Sequence, residues 1–137
     1  MKLIVNTDGA SRGNPGPSSY GFIIKTHLGV ILHQEGKTIG TATNNIAEYV
    51  AVLKALEYIK TYFSRKAPHE VKIISDSQLI TKQLSGVYKI KNLKLKEYFS
   101  KIKEVEENLG VISYKNVPRR ENFIADRLAN KALDEYS

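Results

Sequence analysis

KLIVNTDGASRGNPGPSSYGFIIKT, residues 2–26, decides how this chain is read. Two runs rich in apolar and β-branched residues, KLIVN and YGFIIK, flank TDGASRGNPGPSSYG, a stretch dominated by turn formers. Runs of this kind read as strands. The first is expected to end at Asp8 and the second to begin near Tyr20. Three roles suit the segment between them: a phosphate cradle, an ordinary hairpin connection, or one corner of a metal site. The spacing G-x-x-x-x-G-K-[ST] or G-x-G-x-x-G is absent, and a strand rather than a helix follows, which disfavours the cradle.

Outward from this pair, GVILHQEGKT begins a third strand, joined to the second by the turn THLG, so an antiparallel hairpin is expected. From Asn44 or Asn45 to about Phe63, Ile46, Val50, Leu53 and Ala47, Ala51, Ala55, Tyr58 recur at helical spacing. EVKIISD is a buried strand, and SQLITKQLSG a short helix closed by Gly86. LKLKEYFSKIKEVEENLG sets Leu95, Phe99, Ile102 and Leu109 on one helical face, with Gly110 as the stop. VISYKNV is a last strand, and ENFIADRLANKALDEY a last helix with Ile124, Leu128 and Leu133 as core candidates. The order β-β-β-α-β-α-α-β-α predicts an α/β fold. Its leading strands should be antiparallel, later strands should join in parallel through crossovers, and helices should cover the faces of this mixed sheet. Ligands in such sheets bind beyond the carboxyl ends of strands.

At 137 residues the chain suits one domain, residues 1–137, with a single core. No apolar run approaches the roughly 20 residues that span a bilayer, and the N-terminus lacks a signal-peptide core. The absence of cysteine excludes thiolate metal sites and cysteine nucleophiles, and fits a cytoplasmic location. The net charge of +7 points to a polyanionic partner, nucleic acid first. The excess is local: residues 86–103 hold six lysines (Lys89, Lys91, Lys94, Lys96, Lys101, Lys103) against Glu97. These lysines are expected to touch phosphates.

Four acids fall near element ends: Asp8, Asp76, Glu48 in the first turn of the long helix, and Asp126 one turn into the last helix. If the first and fourth strands are neighbours, Asp8 and Asp76 lie side by side, and two helices can add Glu48 and Asp126. Clustered carboxylates repel one another unless a cation sits among them. Hard oxygen donors without Cys or convergent His suit Mg²⁺ or Mn²⁺. Each acid also has a structural explanation. Glu48 can complete a capping box with Asn45, Asp76 can be a helix N-cap, Asp8 can start an Asx-turn, and Asp126 can be a solvated helix residue. His27, His33 and His69 suggest no metal trio. Packing or exposed positions are expected for them and for Tyr20, Tyr88 and Tyr98.

Four ordered motifs, TDGASRGNPGPSSYG, TNNIAEYVAVLKALE, SDSQLI and VPRRENFIADRLAN, resemble those of type 1 ribonuclease H over essentially the whole chain. The resemblance implies a ribonuclease H-like fold, a five-stranded mixed sheet of three antiparallel and two parallel strands with helices on both faces. It implies that Asp8, Glu48, Asp76 and Asp126 are catalytic metal ligands, holding two Mg²⁺ (or Mn²⁺) ions with substrate bound. Asn14, Asn44, Asn45 and Gln78 match residues that contact the hybrid's minor groove, and Thr43 a residue that contacts a DNA phosphate. The implied activity is largely sequence-independent hydrolysis of the RNA strand of RNA–DNA hybrids, leaving 5′-phosphate and 3′-hydroxyl ends. Double-stranded RNA is a second candidate substrate, and a monomer is expected.

Two departures stand out. Many members carry a histidine shortly before the last acid, where this chain reads VPRRENFIAD, with Arg119 at the nearest position and Arg120 as the alternative. An arginine cannot shuttle a proton, so an electrostatic catalytic role is expected for Arg119. The long, Trp-containing basic protrusion is also absent, and only GVYKIKNLKLK lies in its place. A binding module that holds hybrids without cutting is the alternative from another class. The four acids argue against it, since a pure binder has no use for negative charge facing phosphates. An integrase- or resolvase-like nuclease keeps the sheet and changes the reaction, and the TNN and DSQ segments disfavour it.

Overall fold

In the computed structural model, which describes residues 1–136, five strands form one sheet. They are β1 (Lys2–Ser11), β2 (Gly16–Thr26), β3 (Ile31–Ala42), β4 (His69–Ser75) and β5 (Gly110–Asn116), in the order β3-β2-β1-β4-β5. β1, β2 and β3 pair antiparallel, while β4 joins β1, and β5 joins β4, in parallel. The helices are α1 (Asn44–Phe63), α2 (Gln78–Leu84), α3 (Leu93–Glu106) and α4 (Phe123–Tyr136). The mixed α/β sheet expected from the sequence is the one found.

The first two strands run further than the turn formers suggested. β1 continues three residues past Asp8, β2 starts at Gly16, and only residues 12–15 connect them. Small residues suit a strand here because helices press on both of its faces. Opposed residues of an antiparallel pair share a face, and Asp8 lies opposite Gly21, Gly9 opposite Tyr20. A methyl group at Gly9 would overlap the Ala47–Glu48 peptide of α1. One at Gly21 would overlap the α4 backbone at Ala125 and Ala129. The two glycines therefore let the two helices approach β1 and β2 from opposite sides.

Helix α1 is buried continuously from Ala47 to Leu53, as expected of a helix held between a sheet and another helix. Its outer side packs on α3 through the cluster that includes Leu53, Leu56, Leu95 and Ile102. Two helical expectations shift. α3 ends at Glu106, so Leu109 is a buried loop residue, and Gly110, with φ of 134°, opens β5. On α4 the fully buried positions are Ala125, Ala129 and Leu133, while Ile124 and Leu128 are half-buried. The small residues face inward because Gly21 and Gly36 admit the α4 backbone itself. Gly86, with φ of 81°, follows α2 as expected.

Candidate active site

Parallel pairing of β1 with β4 ends at Asn6 and Ile74. Extending that register by two residues sets Asp8 beside Asp76, just past the carboxyl end of β4. Asp8 is thus not the end of β1 but the point where its parallel partner runs out, while pairing with β2 continues to Ser11. Glu48 arrives from α1, and ligand oxygens of Asp8, Glu48 and Asp76 all lie within 4.8 Å of one another. Asp126, on the first turn of α4, stands outside that triad yet lines the same open cleft of about 370 Å³. Gly9, Ser11, Asn44, Asn45, Ser77, Arg119 and Asn130 complete its wall.

The structural explanations for Glu48, Asp76 and Asp8 fail one by one, while Asp126 is a helix residue, as expected, and half-buried. Thr43, not Asn45, caps α1 by accepting from the Ile46 amide at 3.2 Å, so Glu48 lies beyond the first turn and forms no capping box. Instead Glu48 Oε1 accepts from the Gly9 amide at 2.7 Å and Oε2 from Ser75 Oγ at 3.3 Å. Ser77, not Asp76, caps α2 through the Ile80 amide. Asp8 sits within a strand, so it starts no turn.

Burial and crowding govern the protonation of the triad. Asp8 is 4% exposed, and burial pushes its carboxyl up to about 11, assisted by the hydrogen bond and charge of Glu48 and the charge of Asp76. Burial also raises Glu48, opposed by its hydrogen bonds from Asp8, Gly9 and Ser75. No lysine or arginine enters the triad, and the donors are all hard oxygens. That combination fits a divalent cation, which would relieve the repulsion that a shared proton otherwise relieves.

Arg119 lines the cleft, with its Nη2 3.6 Å from Asp126 Oδ1 and its side chain 78% exposed. Arg120 does not line it. Asn44 and Asn45 are exposed at the start of α1, on the cleft wall. Asn14 is exposed on the β1–β2 connection, and its Oδ1 accepts from the Asn44 amide at 3.0 Å. That oxygen is therefore engaged in tying the connection to α1. Gln78 is exposed at the first position of α2 and stands off the cleft wall, where Ser77 takes the nearer place.

Sequence reasoning passed over the residues that hold the acids in place. Asn130 Nδ2 donates to Asp126 Oδ1 at 3.1 Å, and its carbonyl receives Arg12. Asn122, 1% exposed, links the start of α4 to Asn6 and to the Thr7 carbonyl. Both asparagines lie four residues from Asp126, a helical spacing that could have drawn attention to them. The histidines and tyrosines pack as expected, with His33 stacked on Tyr58 and Tyr20 donating to Glu35. In the basic segment, Lys94 and Lys101 flank the Tyr98 ring and Lys103 is anchored to the Leu84 carbonyl, so Lys103 is structural. No helix among the described residues is long and apolar enough to cross a membrane.

Residues 6–132 match the family model described as "Reverse transcriptase-like". A bifunctional protein of Mycobacterium tuberculosis is 36% identical over 135 residues, covering 98% of this chain. The chain spans only 36% of that relative's length. Ribonuclease HI of Halobacterium salinarum is 40% identical over 128 residues, 93% of this chain and 62% of that protein. Among solved structures, LC11-RNase H1, in complex with an RNA/DNA hybrid, is 40% identical with a TM-score of 0.94 over 98% of both chains.

Proposed function

The chain belongs to the reverse transcriptase-like family as a ribonuclease H-like domain, and from that premise we propose that it is a metal-dependent endoribonuclease acting on RNA–DNA hybrids. The observation that carries the reading is the convergence of Asp8, Glu48 and Asp76 just past the point where β1 and β4 stop pairing, with Asp126 on the same cleft. A long, open, otherwise polar cleft on a chain of net charge +7 suits a polyanion whose reacting phosphate must meet four acids. Residues 1–137 act as one catalytic domain in this reading, monomeric and cytoplasmic. The lack of cysteine is in keeping with that compartment.

Asp8, Glu48, Asp76 and Asp126 would hold Mg²⁺, or Mn²⁺, as two ions when substrate is bound. Divalent ions in such a site acidify a bound water and neutralise charge on the attacking and leaving oxygens. Asp8, buried at the middle of the cluster, would be the ligand shared by both. Gly9 and Ser75 fix the Glu48 carboxylate, so it does not reorganise during reaction. Asn130 restrains Asp126 in the same manner. Arg119, exposed beside Asp126, supplies positive charge toward the reacting phosphate and moves no proton.

Selection of RNA requires a reader of the 2′-hydroxyl, which both donates and accepts. The amides of Asn44 and Asn45 on the cleft wall, with Asn14 and Gln78 beside it, are suited to that task. Thr43 closes the same α1 terminus and would meet a DNA phosphate. None of these groups encodes a base, so cleavage is largely sequence-independent, with 5′-phosphate and 3′-hydroxyl products. The test is a panel of labelled hybrid, double-stranded RNA and single-stranded RNA with Mg²⁺, Mn²⁺ or EDTA. Cleavage of the hybrid RNA strand with either metal and none with EDTA is expected. Retention of the hybrid uncut under every condition would replace the enzyme with a binding module.

A further inference from the structure

The outward side of α4 carries a shallow groove of about 560 Å³ lined by Phe123, Asp126, Arg127, Asn130, Lys131 and Asp134. Asp126 and Asn130 also line the catalytic cleft, so the two depressions share a wall and run into one another. Phe123 is 57% exposed at the first position of α4, although its neighbours Asn122 and Ala125 are buried. Packing does not require an aromatic ring there. The charges on the groove differ in their engagement. Asp134 holds Arg12 at 2.5 Å, and Lys131 faces Glu135 at 3.8 Å. Arg127 is exposed, and among the described residues it makes no ion pair. Phe123 and Arg127 are four residues apart and so share one helix face, about 6 Å apart along the axis.

A nucleic-acid strand with its reacting phosphate at Asp8 and Asp76 continues past the cleft in both directions. Asp126 and Asn130, which line both depressions, join the cleft to this shelf in one of those directions. We propose that the shelf is a further binding site for the RNA strand of the substrate, in which Arg127 pairs with a backbone phosphate beyond the cut and Phe123 packs on the adjoining ribose. This rests on the hybrid-cleaving function proposed above. In a paired duplex the bases are stacked inside, so an exposed ring on the protein meets the sugar face. An unengaged guanidinium is suited to a phosphate, which it grips bidentately. The shelf gives a chain with a short basic segment a second hold on its substrate, beside the acids rather than across the duplex.

The test uses Phe123→Ala, Arg127→Ala and Arg127→Lys in the intact chain, with Lys66→Ala in the turn that follows α1 as the control. All three positions are exposed, and melting temperatures of the four variants are expected to match the wild type. Steady-state cleavage of a long hybrid should show KM raised about threefold or more for Phe123→Ala and Arg127→Ala, kcat unchanged, and the control unaffected. The slope of log affinity against log salt should fall by about one for Arg127→Ala and be retained in Arg127→Lys. Trimming the hybrid from one end should abolish the difference between wild type and Arg127→Ala, while trimming from the other end should preserve it. Variants that match the wild type on the long hybrid would overturn the shelf, as would a difference indifferent to which end is trimmed. Failure of the wild type itself to cut any hybrid would instead overturn the proposed function.

Discussion

Asn122 donates its side-chain amide to the Thr7 carbonyl at 2.8 Å, joining the start of α4 to the peptide that precedes Asp8. The same side chain accepts from Asn6 Nδ2 at 3.0 Å, and its own carbonyl receives the Asp126 amide. Two acids separated by more than a hundred residues are thus referenced to one buried side chain. Asn122→Ala leaves the Thr7 carbonyl and the Asn6 amide without these partners, which should destabilise the fold by about 1–3 kcal/mol. Hybrid cleavage assayed well below the lowered melting temperature should still lose most of its kcat, because α4 no longer holds Asp126 in register with Asp8. A variant that is destabilised yet turns over at the wild-type rate when fully folded would confine Asn122 to packing.

Asp76 offers the cleanest separation of chemistry from fold. It is half-buried at the end of β4, caps nothing, and faces two other carboxylates. Asp76→Asn keeps its shape and removes one charge from a repelling cluster, so the melting temperature in EDTA should hold or rise. Cleavage of the hybrid should be lost, with a fall of at least about 10²-fold in kcat, on the scale seen when a preorganised electrostatic group is removed. Turnover by a well-folded Asp76→Asn protein would remove that residue from the catalytic set.

The elements were legible because each carries a local signal, alternation or continuity of apolar residues or helical spacing. The four acids, each open to a structural explanation alone, were picked out by the four ordered motifs that contain them. What escaped depends on partners distant in sequence. The strands β1 and β2 looked shorter than they are because Gly9, Ser11, Ser18 and Ser19 read locally as turn formers. At Gly9 the small size is in fact demanded by the backbone of α1. On α4 Leu133 was read correctly, but Ile124 and Leu128 were preferred for their size where the close contact with Gly21 and Gly36 buries Ala125 and Ala129 instead. Asn122 and Asn130 offered only their spacing of four residues from Asp126, because an amide that ties two elements looks, in sequence, like any polar residue.

That close approach is itself testable. A methyl group at Gly21 meets the α4 backbone, and one at Gly9 meets the α1 backbone, and neither obstacle is the flexible end of a side chain. Each glycine-to-alanine change should destabilise by about 1–3 kcal/mol, the usual range for overpacking. Their effects on activity should differ. Gly9 also supplies the amide that holds Glu48, so Gly9→Ala should lose more cleavage per degree of melting temperature than Gly21→Ala. Equal losses would mean that the Gly9–Glu48 hydrogen bond contributes nothing particular to the site. Thermal melts and single-turnover cleavage at a common temperature below both transitions make the comparison.

The raised Asp8 carboxyl predicts how pH and metal act together. Burial and the neighbouring acids lift it from 3.8 in the unfolded chain to about 11 in the folded one. The protonated form is therefore favoured by folding. Its contribution is fully present below about pH 3.8 and is lost progressively as pH rises toward the folded value, because the unfolded chain has already released the proton. In EDTA the wild-type melting temperature should fall between pH 5 and 9 on this account, and Asp8→Asn, which does not ionise, should fall less steeply. Added Mn²⁺ or Mg²⁺ should stabilise the wild type most at the alkaline end, since a cation takes the proton's place among Asp8, Glu48 and Asp76. Calorimetry in buffers of different ionisation enthalpy should detect a proton released on metal binding. Identical pH slopes for wild type and Asp8→Asn, or metal binding without proton release, would show that the triad is already ionised and that something other than a shared proton offsets its repulsion.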